Sequence, residues 1–162
     1  MITLEEVNSL LEYNPYTGLF KWKPGLGNKS KLKVAGSRDM SRPIAIEIYG
    51  VKYFAHRLAW LIVNGKWPDK AIDHINGICT DNRICNLREA TIAENNMNCK
   101  ISARNTSGVK GIYWNKAFKK WHGRLRVDGK NIHIGLFDDL EFADLAMSEA
   151  RIKFHHEFAR DR

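Results

Sequence analysis

The period of the apolar positions changes several times along the chain, and each change marks an element. Leu4, Val7, Leu10 and Leu11 recur at helical spacing. Thr3 stands before them with Glu6 three residues on, so the pattern predicts a short helix opened by a capping box. Asn14, Pro15 and Gly18 end that helix in a turn, and residues 19–22 read as a strand. Residues 24–42 are polar and contain glycine, which predicts a loop holding one short strand around Val34. Ile44, Ile46 and Ile48 then alternate with Ala45, Glu47 and Tyr49, Gly50 turns the chain, and residues 51–55 return as a second strand. Residues 56–64 predict a helix closed by Gly65 and Pro68. Residues 72–75 predict a short strand running into the turn dipeptide Asn76-Gly77, and Thr91 with Glu94 predicts another capped helix.

Beyond residue 100 the pattern resets. The small polar stretch 101–108 carries Ser102, Asn105, Thr106 and Ser107, and it places a domain boundary at Arg104/Asn105. Three strand-like runs follow, at 109–114, 120–127 and 131–137, the last two joined by Asp128-Gly129. Asp138 or Asp139 caps a final helix reaching about Phe158, with Phe142, Ala146, Ala150, Phe154 and Phe158 as its expected apolar stripe. In the second run His122, Arg124 and Arg126 share one face, and Trp121, Leu125 and Val127 the other. Lys110, Ile112 and Trp114 share a face of the first run, and Asn131 and His133 oppose Ile132 and Ile134 in the third. The fold class expected is α+β: a mixed helix-and-hairpin domain over 1–104, then a three-stranded antiparallel sheet packed on one helix over 105–162.

Charge narrows the function. The 162 residues carry a formal net charge of +8, which favours a polyanionic partner, nucleic acid first. Between Lys100 and Lys130 only Asp128 is acidic, against basic Lys100, Arg104, Lys110, Lys116, Lys119, Lys120, Arg124, Arg126 and Lys130. Cys79, Cys85 and Cys99 form no C-x-x-C pair and no even framework, so they read as reduced thiols. The N-terminus has no basic region before a long apolar run, and no stretch is long enough to span a bilayer. The expectation is a protein of the cytoplasm, without a membrane partner.

Residues 72–98 gather groups that phosphodiester hydrolysis needs. Asp73 offers hard oxygens to a divalent ion, and His74 beside it points to the opposite face of a strand. One can hold metal while the other takes a proton from water, a task suited to an imidazole titrating near pH ~6.5. Asn86 and Asn95 add uncharged amides. On chemistry alone a packed histidine and asparagine-rich turns account for the same residues.

The ordered signatures His56-Arg57-Leu58-Ala59-Trp60, Asp73-His74-Ile75-Asn76-Gly77, Asp81-Asn82-Arg83, Asn86-Leu87-Arg88 and Glu94-Asn95-Asn96 resemble the HNH homing endonucleases of phages and mobile introns, over residues 49–98. The resemblance implies a ββα-metal fold with Asp73 and Asn95 as metal ligands, His74 as general base and Asn86 orienting the imidazole. Asn at position 95, where many members have His, leans the site toward Mg²⁺ or Mn²⁺ over Zn²⁺. His56 is left between packing, capping and a contact with substrate or metal. The segment 13–54 resembles the N-terminal part of phage HNH proteins and reads as scaffold, with Lys21, Lys23, Lys29, Lys31 and Lys33 available to phosphates.

The second domain resembles the AP2 DNA-binding domain of plant transcription factors and phage nucleases. The residues that carry this are Ser107-Gly108-Val109-Lys110-Gly111, Trp114, Lys120-Trp121, Arg124-Leu125-Arg126, Ile134-Gly135-Leu136-Phe137-Asp138 and the helix from Ala143 to Ala150. The resemblance implies that Lys110, Trp114, Arg124, Arg126 and His133 contact double-stranded DNA. Arg124 replaces the Glu of the plant pattern and Ile112 its Arg, so the plant target does not carry over. The function expected is metal-dependent DNA cleavage by a monomer or weak dimer. The alternative is a sequence-specific DNA-binding protein with an inactive HNH domain.

Overall fold

The computed structural model describes residues 2–25, 34–37, 39 and 41–160. The chain divides into two compact units, Met1–Ala90 and Thr91–Arg162. The division falls after Ala90, whereas the polar stretch in the sequence places it at Arg104/Asn105. Within the second unit, Lys110 Nζ donates to Met97 O and Cys99 O, both at 2.6 Å, which ties residues 97–99 to it.

In the first unit, α1 (Leu4–Leu10) carries the expected capping box between Thr3 and Glu6. It ends sooner than its apolar spacing suggests. Leu11 already belongs to β1 (Leu11–Asn14), which pairs antiparallel with β2 (Leu19–Trp22), Leu11 opposite Trp22. An apolar pair such as Leu10-Leu11 closes a helical stripe or opens a buried strand equally well, and the ladder decides it. Asn14 Oδ1 accepts from the Tyr16 and Thr17 amides, each at 3.0 Å, which makes the turn. Val34 lies in a bend, not the short strand expected around it, and beside it Ala35 N donates to Phe20 O at 2.7 Å. Lys29, Lys31 and Lys33 lie outside the described residues.

β3 (Ala45–Ile48) and β4 (Val51–Phe54) form the expected hairpin, and α2 (Ala55–Asn64) follows at once. Gly65 closes α2, donating its amide to Leu61 O at 2.9 Å. β5 (Ala71–His74) pairs antiparallel with β6 (Leu87–Ala90), a strand that the polar context of residues 81–90 conceals. These elements enclose one core, centred on Val7, Phe20, Ile46, Ile48, Leu58 and Leu61, with Ile72 and Leu87 at its edge toward β5.

The second unit opens with α3 (Ile92–Met97), whose Thr91–Glu94 capping box is present. Its sheet has the order β7 (Ile112–Asn115), β8 (Lys120–Val127), β9 (Lys130–Phe137), all antiparallel, with α4 (Leu140–His155) across one face. Asp128 and Gly129 both take positive φ, 48° and 77°, in the predicted hairpin. Asp139 caps α4, accepting from the Glu141 and Phe142 amides. The buried stripe of α4 is Ala143, Met147, Ala150, Arg151 and His155; of the expected stripe Ala150 and Phe158 are buried and Phe154 packs on the core, while Phe142 is 69% exposed. The stripe is turned by about one residue because Arg151 and His155 go inward: Arg151 Nη1 donates to Lys110 O at 2.8 Å, and His155 Nε2 meets Arg126 O at 3.0 Å. The chain then leaves the α-helix in a tighter turn over His156–Phe158.

One glycine sets the tolerance of the first unit. Gly18 has φ +71°, and a Cβ there would lie 2.6 Å from both the Arg83 nitrogen and the Asn82 carbonyl carbon. Gly25, with φ +90°, has nothing within 4 Å of that position. Gly25→Ala is therefore expected to cost about 1 kcal/mol in backbone strain, and Gly18→Ala about 2 kcal/mol more, since backbone must move. Urea unfolding of the two variants against the parent measures both.

Candidate active site in the first unit and candidate DNA-facing sheet in the second

Asp73 and His74 are the last two residues of β5, so their side chains leave on opposite faces. Asp73 stands opposite Arg88 in the ladder, and Arg88 Nε donates to Asp73 Oδ2 at 2.9 Å. Both partners are largely buried, with side-chain exposures of 4% for Asp73 and 14% for Arg88, so the pair is geometrically fixed. His74 stands opposite Leu87 and is 8% exposed. Its Nε2 lies 3.2 Å from Asn82 Oδ1. The ring of His56, from the first turn of α2, meets the His74 ring edge-on at 5.1 Å and stacks on Phe54 at 5.4 Å.

The connection between β5 and β6 is knitted by four side chains, Asn76, Asp81, Arg83 and Asn86. Asn76 Nδ2 donates to Asp81 Oδ2 at 2.7 Å, and Asn76 Oδ1 accepts from the Ile78 amide at 2.8 Å. Asn86 Nδ2 donates to Asn76 Oδ1 and to Asp81 O, while Asn86 Oδ1 accepts from the Asn76 amide. Arg83 grips Asp81 through two nitrogens, at 2.8 and 2.6 Å. That bidentate bond is the main reason the Asp81 carboxyl titrates at about 2, below its ordinary range.

Asn86 was expected to orient the imidazole. The bonds described for it hold the loop, and the amide at hydrogen-bond distance from His74 belongs to Asn82. Asn82 is 1% exposed and is fixed from behind: Tyr13 Oη donates to Asn82 O at 2.8 Å, and Ile84 N donates to Pro15 O at 3.2 Å. The segment read as chemically silent scaffold thus supports a site residue. Sequence reasoning met Asn82 within Asp81-Asn82-Arg83 and gave it no role. The signal available was a second asparagine between His74 and Asn86. Burial also pushes the Tyr13 phenol up to about 12.

The described residues hold no cluster of three His, Cys, Asp or Glu placed for a metal ion. What they offer is a single buried carboxylate, Asp73, beside a histidine. That donor fits a hard divalent ion whose remaining ligands are phosphate and water oxygens, and it does not fit a structural zinc site. Asn95 lies on α3, half-buried, in the second unit.

In the second unit the ladder sorts the remaining expected contacts. Arg124 stands opposite His133 and Arg126 opposite Asn131, all on the sheet face away from α4 and all exposed. Tyr113 joins that face opposite His122. Two expected contacts do not join it. Trp114 stands opposite Trp121 on the face that carries buried Ile112, and the two indoles meet at 5.0 Å. Lys110 spends its ammonium on the Met97 and Cys99 carbonyls.

Residues 53–97, from β4 to α3, match the HNH endonuclease family, and this fixes the class of the domain around Asp73 and His74. The chain is 36% identical over 108 residues to Protein 3.8 of Escherichia phage T7, an overlap of 66% of this chain and 88% of that protein. The chain belongs to the family of that phage protein and carries an HNH endonuclease domain within it. No solved structure matches it. No helix among the described residues is long and apolar enough to cross a membrane.

His56 gives this site a measurable pH signature. Burial, with smaller contributions from His74 and Arg57, lowers its pKa to about 4 from an ordinary 6.5. The folded state therefore binds this proton less readily than the unfolded chain. Stability is fully present above pH ~6.5 and falls as the pH drops toward ~4. Thermal melts between pH 7.5 and 4.5 are expected to show that decline in the parent and a shallower one in His56→Gln.

Proposed function

We propose that this protein is a divalent-metal-dependent DNA endonuclease of the homing type, in which Asp73 and His74 do the chemistry and the second unit reads DNA. The observation that carries it is the buried Asp73–His74 pair at the end of β5, with His74 bonded to a buried amide, inside the segment that matches the HNH endonuclease family. A bound Mg²⁺ or Mn²⁺ would supply electrostatic stabilisation of the phosphate and of the departing 3′-oxygen. Asp73 would hold it, with Asn95 a further oxygen donor on the strength of the resemblance alone.

The chain's own residues account for the proton. With His74 Nε2–H donated to Asn82 Oδ1, the basic lone pair falls on Nδ1, and Nδ1 takes the proton from the attacking water. Asn82 fixes that tautomer, and Asn86 fixes the loop that carries Asn82. Arg88 holds the Asp73 carboxylate in place. In the second unit the exposed face of the AP2-like sheet, with Arg124, Arg126 and His133, enters the major groove, where arginine pairs with guanine edges.

Plasmid relaxation tests the chemistry, with Mg²⁺, with Mn²⁺ and with EDTA. Cleavage is expected only with metal. It should fall by a factor of about 10²–10⁴ in His74→Ala and by about a hundredfold in Asn82→Ala, the latter in turnover more than in KM. A folded parent that binds DNA in a salt-sensitive way yet cuts nothing would establish the non-catalytic alternative. Arg124→Ala and Arg126→Ala are each expected to weaken binding by about 1–3 kcal/mol if they read bases. If they meet only phosphates, each should instead lower the salt slope by about one. Titrations of labelled duplex in EDTA at several salt concentrations separate the two.

A further inference from the structure

The open face of the second sheet carries a feature that arginine-based reading leaves unused. Tyr113 Oη lies 2.5 Å from His122 Nδ1, and His122 Nε2 lies 2.6 Å from His133 Nδ1. Three side chains from β7, β8 and β9 thus form one hydrogen-bonded chain across the sheet, and the two imidazoles stand nearly perpendicular, centroids 4.6 Å apart. Two facing nitrogens at that distance share a single proton between them. The neutral chain has two arrangements. In one, Tyr113 donates to His122, His122 donates to His133, and His133 Nε2–H points outward as a donor. In the other every proton is reversed, and His133 Nε2 is an acceptor. A further proton removes the choice: His133 Nε2 and the phenol both become donors, and the face gains one positive charge.

We propose that the Tyr113–His122–His133 chain is part of the DNA-binding surface and takes up one proton when the sheet meets DNA. The inference rests on the DNA-facing reading of this sheet. The groups around the chain explain why the proton is absent before binding. Arg124 flanks it on β8, His133 faces it from β9, and Tyr113 from β7 adds no charge while protonated. Beneath the sheet α4 brings Met147 against Gly123, and on α4 the Arg151 guanidinium and the His155 imidazole are turned to the Lys110 and Arg126 carbonyls, with burial holding the His155 pKa below its ordinary 6.5. Burial, His133 and Arg124 together lower the His122 pKa below its ordinary 6.5. A phosphate backbone laid across this face reverses the balance, because the added charge is then attracted.

The sign follows from linkage. A group protonated more readily in the complex strengthens binding as the pH falls through its raised, bound-state pKa, and the gain levels off below its free-state value. The full-length protein is titrated into a labelled random-sequence duplex in EDTA at constant ionic strength, from pH 8.5 to 5.5. Affinity is expected to rise by up to about tenfold per pH unit over part of that range. The slope should be lost in His122→Gln/His133→Gln, reduced in Tyr113→Phe, and retained in His156→Gln, an exposed histidine beyond α4. Histidine Hε1 shifts followed by NMR in the parent, with and without duplex, give a reading that needs no variant: the His122–His133 pair should titrate higher with DNA. Binding that is equally strong at every pH overturns the proposal and leaves the DNA-facing sheet intact. So does a slope that survives in the double variant. Absence of binding at any pH by the folded parent overturns the DNA-facing reading itself.

Discussion

The hydrogen bond between His74 and Asn82 constrains much of the first unit. An amide at 1% exposure is costly unless its groups are held, and among the described residues the Asn82 Nδ2 finds no partner. Here its backbone carbonyl accepts from Tyr13, its side-chain oxygen meets an imidazole, and the chain just beyond it is pinned to Pro15. For those bonds to form, the β1–β2 turn must approach the backbone at Asn82 and Arg83 more closely than any residue with a Cβ permits. The N-terminal hairpin is therefore part of the site's geometry, although it contributes no reactive group.

The same economy governs charge. Asp73 and Asp81 are the two acids of the site region, and each is met by an arginine two residues or one ladder rung away. Arg83 holds Asp81 through a bidentate bond that shapes the loop. Arg88 holds Asp73 from the opposite strand, which leaves His74, on the other face, in a separate environment with His56 and Phe54. A strand end delivers this separation at no cost, since adjacent residues must point apart. A pair of neighbouring residues on a helix would diverge by only about 100° and would share more of one environment.

Much of this was legible in the chain. Both capping boxes, the β3–β4 hairpin, the three strands of the second unit and the opposite placement of Asp73 and His74 follow from local pattern alone, because each depends on residues a few positions apart. What was hidden depends on contacts distant in sequence. β1 exists because Leu11 finds Trp22, and β6 because Arg88 finds Asp73. Asn82 acquires meaning only once Tyr13 stands behind it. The α4 stripe was misplaced because Arg151 and His155 look like surface residues until the Lys110 and Arg126 carbonyls are seen above them.

The sheet of the second unit shows the same limit in a form that bears on function. Strict alternation along β9 puts Asn131 and His133 on the open face, and would put Phe137 there too. The ladder instead steps between Gly123 and Arg124: Arg124 pairs with His133 and Gly123 with Gly135, so Ile134 is the extra residue. Past the bulge the phase is reversed. Phe137 packs with Ile112 and Leu125 against α4, while Asn131 and His133 keep the open face. The break lies in the run Ile134-Gly135-Leu136-Phe137, where alternation fails. His122 stands opposite Leu136 and reaches His133 diagonally across the step. One inserted residue thus closes the core on one side of the sheet and leaves the imidazole pair undisturbed on the other.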